Sequence, residues 1–533
     1  MNNSQLPIHE KYTYKPIHLL LLMAVLAFVL FSRLGAAPIY ILDEAKNAQC
    51  AREMLERNDW VVPTFNGELR TDKPVLHYYF MMLAYKLFGV NAFAARFFSA
   101  VLGLLTVWLT FAFAKRFIGS ASAIFSIVVL IASTHFLFEF RMSVPDPYLI
   151  FFITAGLFAG YTYLQHGRLL YLLLAAASFG LATLAKGPVA LALPGLCLLI
   201  WVAYRRQWSR VFTWKILVAL VVLAVITLPW YIAVHKATHG AWTKGFFVEH
   251  NLNRFAEPQE GHGGFFLLPL LFVVIGLLPF TSFIGQAVQQ RKMLAGDPLI
   301  KFCGIVVLAF IVFFSLSSTK LPNYPMPCYP FAAIILGHLL ANFAMGIGST
   351  KKYPVYVLLG FMILLPVAGY LAVKSEAEAA GVSWVMLLLL AGALGFIFVL
   401  LKWRLMPVYR RIFTILAAWT VFNIMALHNV YPILYSQNPV QKTLPLVLGK
   451  PAVFSYEIYN PAYNFYLKDN IRRFYQVDSL RVALNENPGA IVITRTDFEE
   501  VLKPLQLQEI ARHDDLFENP TTVLYVQGEK PKL

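Results

Sequence analysis

Residues 33–80 carry titratable groups in an arrangement suited to chemistry on a phosphorylated substrate. Asp43, Glu44 and Lys46 open a run, DEAKNAQCAREM, with apolar residues at roughly helical spacing. Arg70, Asp72 and Lys73 follow a Phe65-Asn66-Gly67 turn. Asp43, at the start of the expected helix, is the leading candidate to activate or orient an attacking group. It suits the N-cap of that helix equally well, and the two roles are compatible. Glu44 would project about 100° away on a helix. Asp146 is the second carboxylate, either sharing the catalytic work or paired with Arg141. Lys46, Arg70, Lys73 and Arg254 are cations suited to a phosphate, with Lys186 a further one. Tyr324 suits either a phosphate oxygen or an interfacial anchor. Glu44, Arg141 and Lys186 are candidates for substrate contact. Asp72 and His250 offer oxygen and imidazole to a divalent cation, without a third ligand.

These residues need a scaffold, and the composition says what kind. Of 533 residues only 14% are charged, against about 25% in soluble proteins. Mean hydropathy is +0.63. Apolar runs near span length recur along the chain and divide it into about thirteen expected transmembrane helices. The net charge of +16 follows topology. Lys115, Arg116, Arg168, Arg205, Arg206, Lys351, Lys352, Arg410 and Arg411 fall in loops on one side, which the positive-inside rule makes cytoplasmic. The N-terminus is then cytoplasmic and the C-terminus outside, with every polar break named above on the outer face. A soluble nucleic-acid binder is excluded by the same distribution. The first apolar run lacks a small-residue cleavage site and reads as a span. Four cysteines without a CxxC or Cys/His cluster indicate neither a disulfide framework nor a structural zinc site.

The expected organisation is a membrane domain over 1–430, with outer loops at 35–92 and 235–264, a connector at 431–450, and a small mixed α/β domain at 451–533. In that last domain 490–494 and 521–526 read as strands, with 454–456 a further one. Charges placed at span ends and apolar flanks for a lipid tail point to attack on a lipid-phosphate-linked sugar at the outer membrane surface. No glycine-rich phosphate loop is present, so no nucleotide is expected, nor a redox cofactor. A carrier that moves the lipid without forming a glycosidic bond is the competing class.

The motifs DEAKNAQCAREM (43–54), DWVVP (59–63), TDKP (71–74), LAKGP (184–188), PWY (229–231), EHNLNRF (249–255) and KLPNYPMP (320–327) occur in that order. Together they resemble the bacterial polyprenyl-phosphate-dependent glycosyltransferases of the GT-C class, most nearly the lipid A aminoarabinose transferases and more distantly the protein O-mannosyltransferases. The resemblance implies a mainly α, polytopic GT-C fold of thirteen spans with juxtamembrane helices in the first periplasmic loop. It implies an undecaprenyl-type phosphate donor, lipid A or a related glycan acceptor, a bacterial inner-membrane location, and inversion at the anomeric carbon. Asp43 and Asp146 would take the two acidic positions, and Lys46, Lys73, Arg254 and Tyr324 would surround the phosphate. Asp72 and His250 would stand where a metal, zinc in the aminoarabinose enzyme, is held. Two departures stand out. Lys46-Asn47 replaces an arginine-tyrosine pair, and Asp72 replaces a glutamate. Hexose or uronic acid transfer to a polysaccharide or protein is the alternative within the same chemistry.

Overall fold

The computed structural model describes residues 15–40, 42–253, 264–294, 296–347, 350–516 and 520–527. Helix α1 (Pro16–Phe31) has proline at its start, where the missing N–H costs no hydrogen bond. It is apolar throughout, as a helix surrounded by lipid and protein must be. The chain then enters the first polar loop, which folds as α2 (Asp43–Arg57), a hairpin of β1 (Thr64–Phe65) and β2 (Glu68–Leu69), and α3 (Leu76–Phe88). Helix α2 buries Ala45, Ala48, Ala51 and Met54 at three-residue spacing, and the Tyr85 hydroxyl of α3 donates to Ala48 O at 3.1 Å. The hairpin turn puts Asn66 and Gly67 at φ 56° and 79°. Asn-Gly is the pair a two-residue turn with two positive φ angles favours.

Helix α4 (Ala92–Ala132) has 41 residues. Straight, it would reach about 60 Å, twice the roughly 30 Å of a bilayer core. Gly119, at φ 86° and ψ 168°, breaks it. Then follow α5 (Thr134–Glu139), α6 (Asp146–His166), α7 (Leu169–Lys186), α8 (Val189–Arg205) and α9 (Trp214–Ala237).

The expectation of thirteen spans is corrected. Among the described residues nine helices are long and apolar enough to cross a membrane, or ten if one bent pair is a single span. The reasons are local. Two expected spans are the two halves of α4, which Gly119 separates and which count as a single helix here. Helices α1 and α8 have 16 and 17 residues. The run at 265–285 becomes Leu268–Gly276 and Phe280–Gln289, bent by 110°. Hydropathy counts apolar runs, but tertiary packing decides whether a run continues, bends or stops.

The C-terminal segment carries a five-stranded mixed sheet. Its strands are β3 (Val453–Tyr456), β4 (Arg472–Phe474), β5 (Ile491–Arg495), β6 (Gln508–Asp514) and β7 (Thr521–Val526), in the order β4-β3-β5-β7-β6. Strand β3 runs parallel to β4 and β5, and β7 is antiparallel to β5 and β6. This domain clamps the first loop. Asn66 Oδ1 accepts from Asn464 Nδ2 (2.8 Å) and Ile471 N (2.7 Å), and its amide donates to Ile471 O (2.9 Å). Ile39 N donates to the Tyr466 hydroxyl at 2.8 Å. All four cysteines are buried and free of disulfides.

Candidate active site

The first turn of α2 separates two adjacent acids. Glu44 is fully buried, and its four lone-pair sites are all occupied. Oε1 accepts from Arg96 Nε (2.7 Å) and Ser143 N (2.8 Å). Oε2 accepts from Arg96 Nη2 and Tyr40 N, both at 2.7 Å. Arg96 gives its remaining donors to the carbonyls of Leu34, Ala37 and Pro38. Burial pushes the Glu44 carboxyl up, but the Arg96 guanidinium and these hydrogen bonds outweigh it and hold it below the usual range. The expectation of Glu44 as a substrate contact is therefore corrected: it anchors α2 to the turn before it.

Asp43 is the first residue of α2, and Leu42 is the cap, so the capping role falls away. Among the described residues the Asp43 carboxylate makes no hydrogen bond or ion pair. Burial raises its pKa, but Lys73, Arg70 and Lys46 together bring it below the ordinary value, against an opposing push from Asp72. Arg70 is 4% exposed, and among the described residues none of its three guanidinium nitrogens has a hydrogen-bond partner. Its Nε stands 3.3 Å from Asp72 Oδ2, and the guanidinium lies 6.0 Å over the Tyr78 ring. A buried cation with hydrogen-bonding capacity to spare suits an anion. Beside it His77 is fully buried with both ring nitrogens unpartnered. Burial, then Arg70 and Lys73, push its pKa well down, so it stays neutral.

A second group forms where α5, α6 and α7 meet. Lys186, the last residue of α7, donates to Asp146 Oδ1 at 2.5 Å. Its ammonium also lies 5.0 Å over the Tyr324 ring. Gly187 follows at φ 94°, and a Cβ there would come within 2.6 Å of Phe246 Cζ. Glu139, at the end of α5, is 6% exposed, and its Oε1 has no hydrogen-bond partner among the described residues. The expected Asp146–Arg141 pair is corrected. Arg141 instead donates to the carbonyls of Val29, Leu30, Ser32 and Arg33, closing the C-terminal end of α1. Those donors are then not directed at a substrate, so the substrate-contact expectation for Arg141 is corrected too. The two groups are joined at Ser143, whose N–H meets Glu44 and whose carbonyl accepts from Asn47 Nδ2 at 3.3 Å. Asn47, the departure seen in sequence, is thus a buried tie between α2 and the α5–α6 turn.

Arg254 lies outside the described residues, as does the side chain of His250. Among the described residues no group of three or more His, Cys, Asp or Glu could hold a metal. Asp72 faces Arg70 at 3.3 Å. Glu139 was not singled out from sequence. Its signal was a lone acid at the end of an apolar run. Arg96 was also missed, because its partner lies 52 positions away. An apolar cavity of about 700 Å³ opens beside α5, lined by Phe138, Phe272, Trp419, Phe422, Leu427 and Tyr431 among others.

Comparison with known proteins agrees with this architecture. Residues 20–243 match the model of the dolichyl-phosphate-mannose-protein mannosyltransferase family. The undecaprenyl phosphate-α-4-amino-4-deoxy-L-arabinose arabinosyl transferase of Pseudomonas paraeruginosa is 32% identical over 311 residues, 57% of this chain and 56% of that protein. The protein of the same description from Edwardsiella ictaluri is 31% identical over 307 residues, 56% of this chain and 55% of that one. The chain thus spans a little over half the length of the curated relatives it matches. The fold is that of ArnT from Cupriavidus metallidurans bound to undecaprenyl phosphate, with a TM-score of 0.79 at 22% identity over 95% of this chain and 97% of that one.

Proposed function

We propose that this homologue of the GT-C arabinosyltransferases is an inverting, integral-membrane glycosyltransferase. It moves a sugar from a polyprenyl phosphate to lipid A or a related acceptor at the outer, periplasmic face of the bacterial inner membrane. The observation that carries the reading is the Asp43 carboxylate, unpaired among the described residues, beside Lys46, Lys73 and the buried Arg70, whose guanidinium nitrogens make no hydrogen bond among those residues. The relatives' description supports an undecaprenyl phosphate donor carrying 4-amino-4-deoxy-L-arabinose.

In the reaction the acceptor oxygen attacks the anomeric carbon. The bond from that carbon to the phosphate oxygen breaks, and its electron pair leaves with the polyprenyl phosphate. Lys46, Arg70 and Lys73, with Arg254 and Tyr324, stabilise the charge that develops on the leaving phosphate. Asp43 orients the acceptor, and Asp146, held by Lys186, completes the acidic side of the site. The polyprenyl tail lies along the apolar wall of the spans.

The electrostatics favour one class of acceptor. A carboxylate held below its ordinary pKa by three cations is a weak base. It suits an acceptor already ionised at neutral pH, such as a lipid A phosphate, better than a sugar or protein hydroxyl that must lose a proton. The test is mass spectrometry of products formed by the purified protein with polyprenyl-phosphate donors, offered phosphate-bearing lipid A and its dephosphorylated form. Transfer to the phosphate-bearing acceptor alone is expected. Equal transfer to both would refute the acceptor assignment, and movement of the lipid between leaflets without product would make the protein a carrier.

A further inference from the structure

Two carboxyls at the junction of α5, α6 and α7 share a single ammonium. Lys186 gives its charge to Asp146 at 2.5 Å. Glu139 is 6% exposed, and its Oε1 has no hydrogen-bond partner among the described residues. Among the described residues the groups that act on it are Asp146 of α6, Lys186 of α7, Glu44 of α2, Asn323 of the 317–327 loop and Tyr329 beyond it. Lys186 is the one cation among these, and Asp146 already holds it. Glu44 is held by Arg96 and, as a further negative charge, only adds to the push against ionising Glu139. A buried carboxylate without a counter-charge is strongly disfavoured and takes up a proton instead.

We infer that Glu139 is a positioning residue that carries a proton in the resting protein, and so leaves the Lys186 ammonium to Asp146 and the Tyr324 ring. Burial and the neighbouring Asp146 push the Glu139 carboxyl up to about 8, with Lys186 and Asn323 opposing. When Glu139 loses its proton it competes for Lys186. The Asp146–Lys186 contact loosens, and the loop bearing Asn323 and Tyr324 shifts with it. The site therefore has an alkaline limit set by a residue that does not touch the reacting atoms.

The proton is visible without any turnover. Infrared spectra of the purified protein at pH 7 are expected to show the carbonyl band of a protonated carboxylic acid, lost in Glu139→Gln and lost from the wild type as the pH rises past about 8. In Asp146→Asn the ammonium is released to Glu139, and the band is expected to vanish at pH 7. Absence of the band from the wild type, or its persistence in Glu139→Gln or in Asp146→Asn, would overturn the inference. The second readout rests on the sugar-transfer reading. The wild-type rate is expected to fall about tenfold per pH unit above the titration. The profile of Glu139→Gln, scaled to its own maximum, is expected to stay flat there, and a wild-type fall in that variant would also overturn the inference. A band that behaves as stated in a protein that transfers no sugar would leave Glu139 its role and refute the functional reading instead.

Discussion

Replacing Asp43 by asparagine separates a chemical role from a structural one. The side chain makes no hydrogen bond or ion pair among the described residues, and its structural worth is the favourable position of a carboxylate at the start of α2. That is about 0.3–1 kcal/mol, so the variant should unfold at nearly the wild-type temperature. Donor binding should tighten, because a negative charge is removed from beside Lys73, Arg70 and Lys46. A relief of about 1 kcal/mol corresponds to roughly fivefold in Kd. Turnover should fall about 10²–10⁴-fold, or roughly 3–5 kcal/mol of barrier. Three measurements are needed: thermal unfolding in detergent, polyprenyl phosphate binding, and single-turnover transfer followed by mass spectrometry. A variant with turnover within about fivefold of wild type would refute the assignment. So would one that loses donor binding, because the cations and not Asp43 should hold the phosphate.

Arg70→Met should weaken polyprenyl phosphate binding about tenfold to a hundredfold, as expected for loss of one or two charge-assisted hydrogen bonds; equilibrium binding of the lipid tests it, and unchanged affinity would place the phosphate elsewhere. Arg96→Met strands the buried Glu44 charge and should cost about 3–5 kcal/mol of stability, read as a lowered thermal midpoint. The pH dependence of that midpoint has a definite sign. Glu44 is depressed in the folded protein, so its stabilisation is complete above its unfolded pKa of about 4.3 and is lost as the pH falls through the lower folded value. The midpoint should therefore hold down to about pH 5 and then fall, and that acid fall should be smaller in Glu44→Gln. Gly187→Ala places a Cβ against Phe246 at a positive φ and should cost about 1–3 kcal/mol while displacing Lys186. Turnover should drop with donor affinity nearly kept, which a comparison of rate and Kd checks.

The surface helix from Asp43, the Asn66-Gly67 turn and the central strands β5 and β7 were legible because each depends on local chemistry: helical spacing, positive φ, and a run of β-branched residues. Strands β4 and β6 were not legible. They lie at the edges of the sheet, half in solvent, and RRF and QEIARHD carry no apolar alternation. The extent of the spans was misread for a related reason. Hydropathy marks apolar runs, but only packing stops the helices of α1 and α8 short or bends another run by 110°.

For the site, the sequence by itself determined which residues were available: a polytopic membrane chain with acids and cations gathered in a few polar breaks. It could not say which acid met which cation. Asp43 and Glu44 are neighbours in sequence, yet Arg96, 52 positions from Glu44, takes Glu44 out of the site, while Asp43 is unpaired among the described residues. Asp146 was placed beside Arg141 by proximity in the chain, yet it is held by Lys186, 40 positions on, while Arg141 closes α1. Charge pairing depends on separation in space and on the local dielectric. Both are set by how distant helices pack, so the tertiary structure alone decided which carboxylates are anchors, which is poised, and which one keeps its proton.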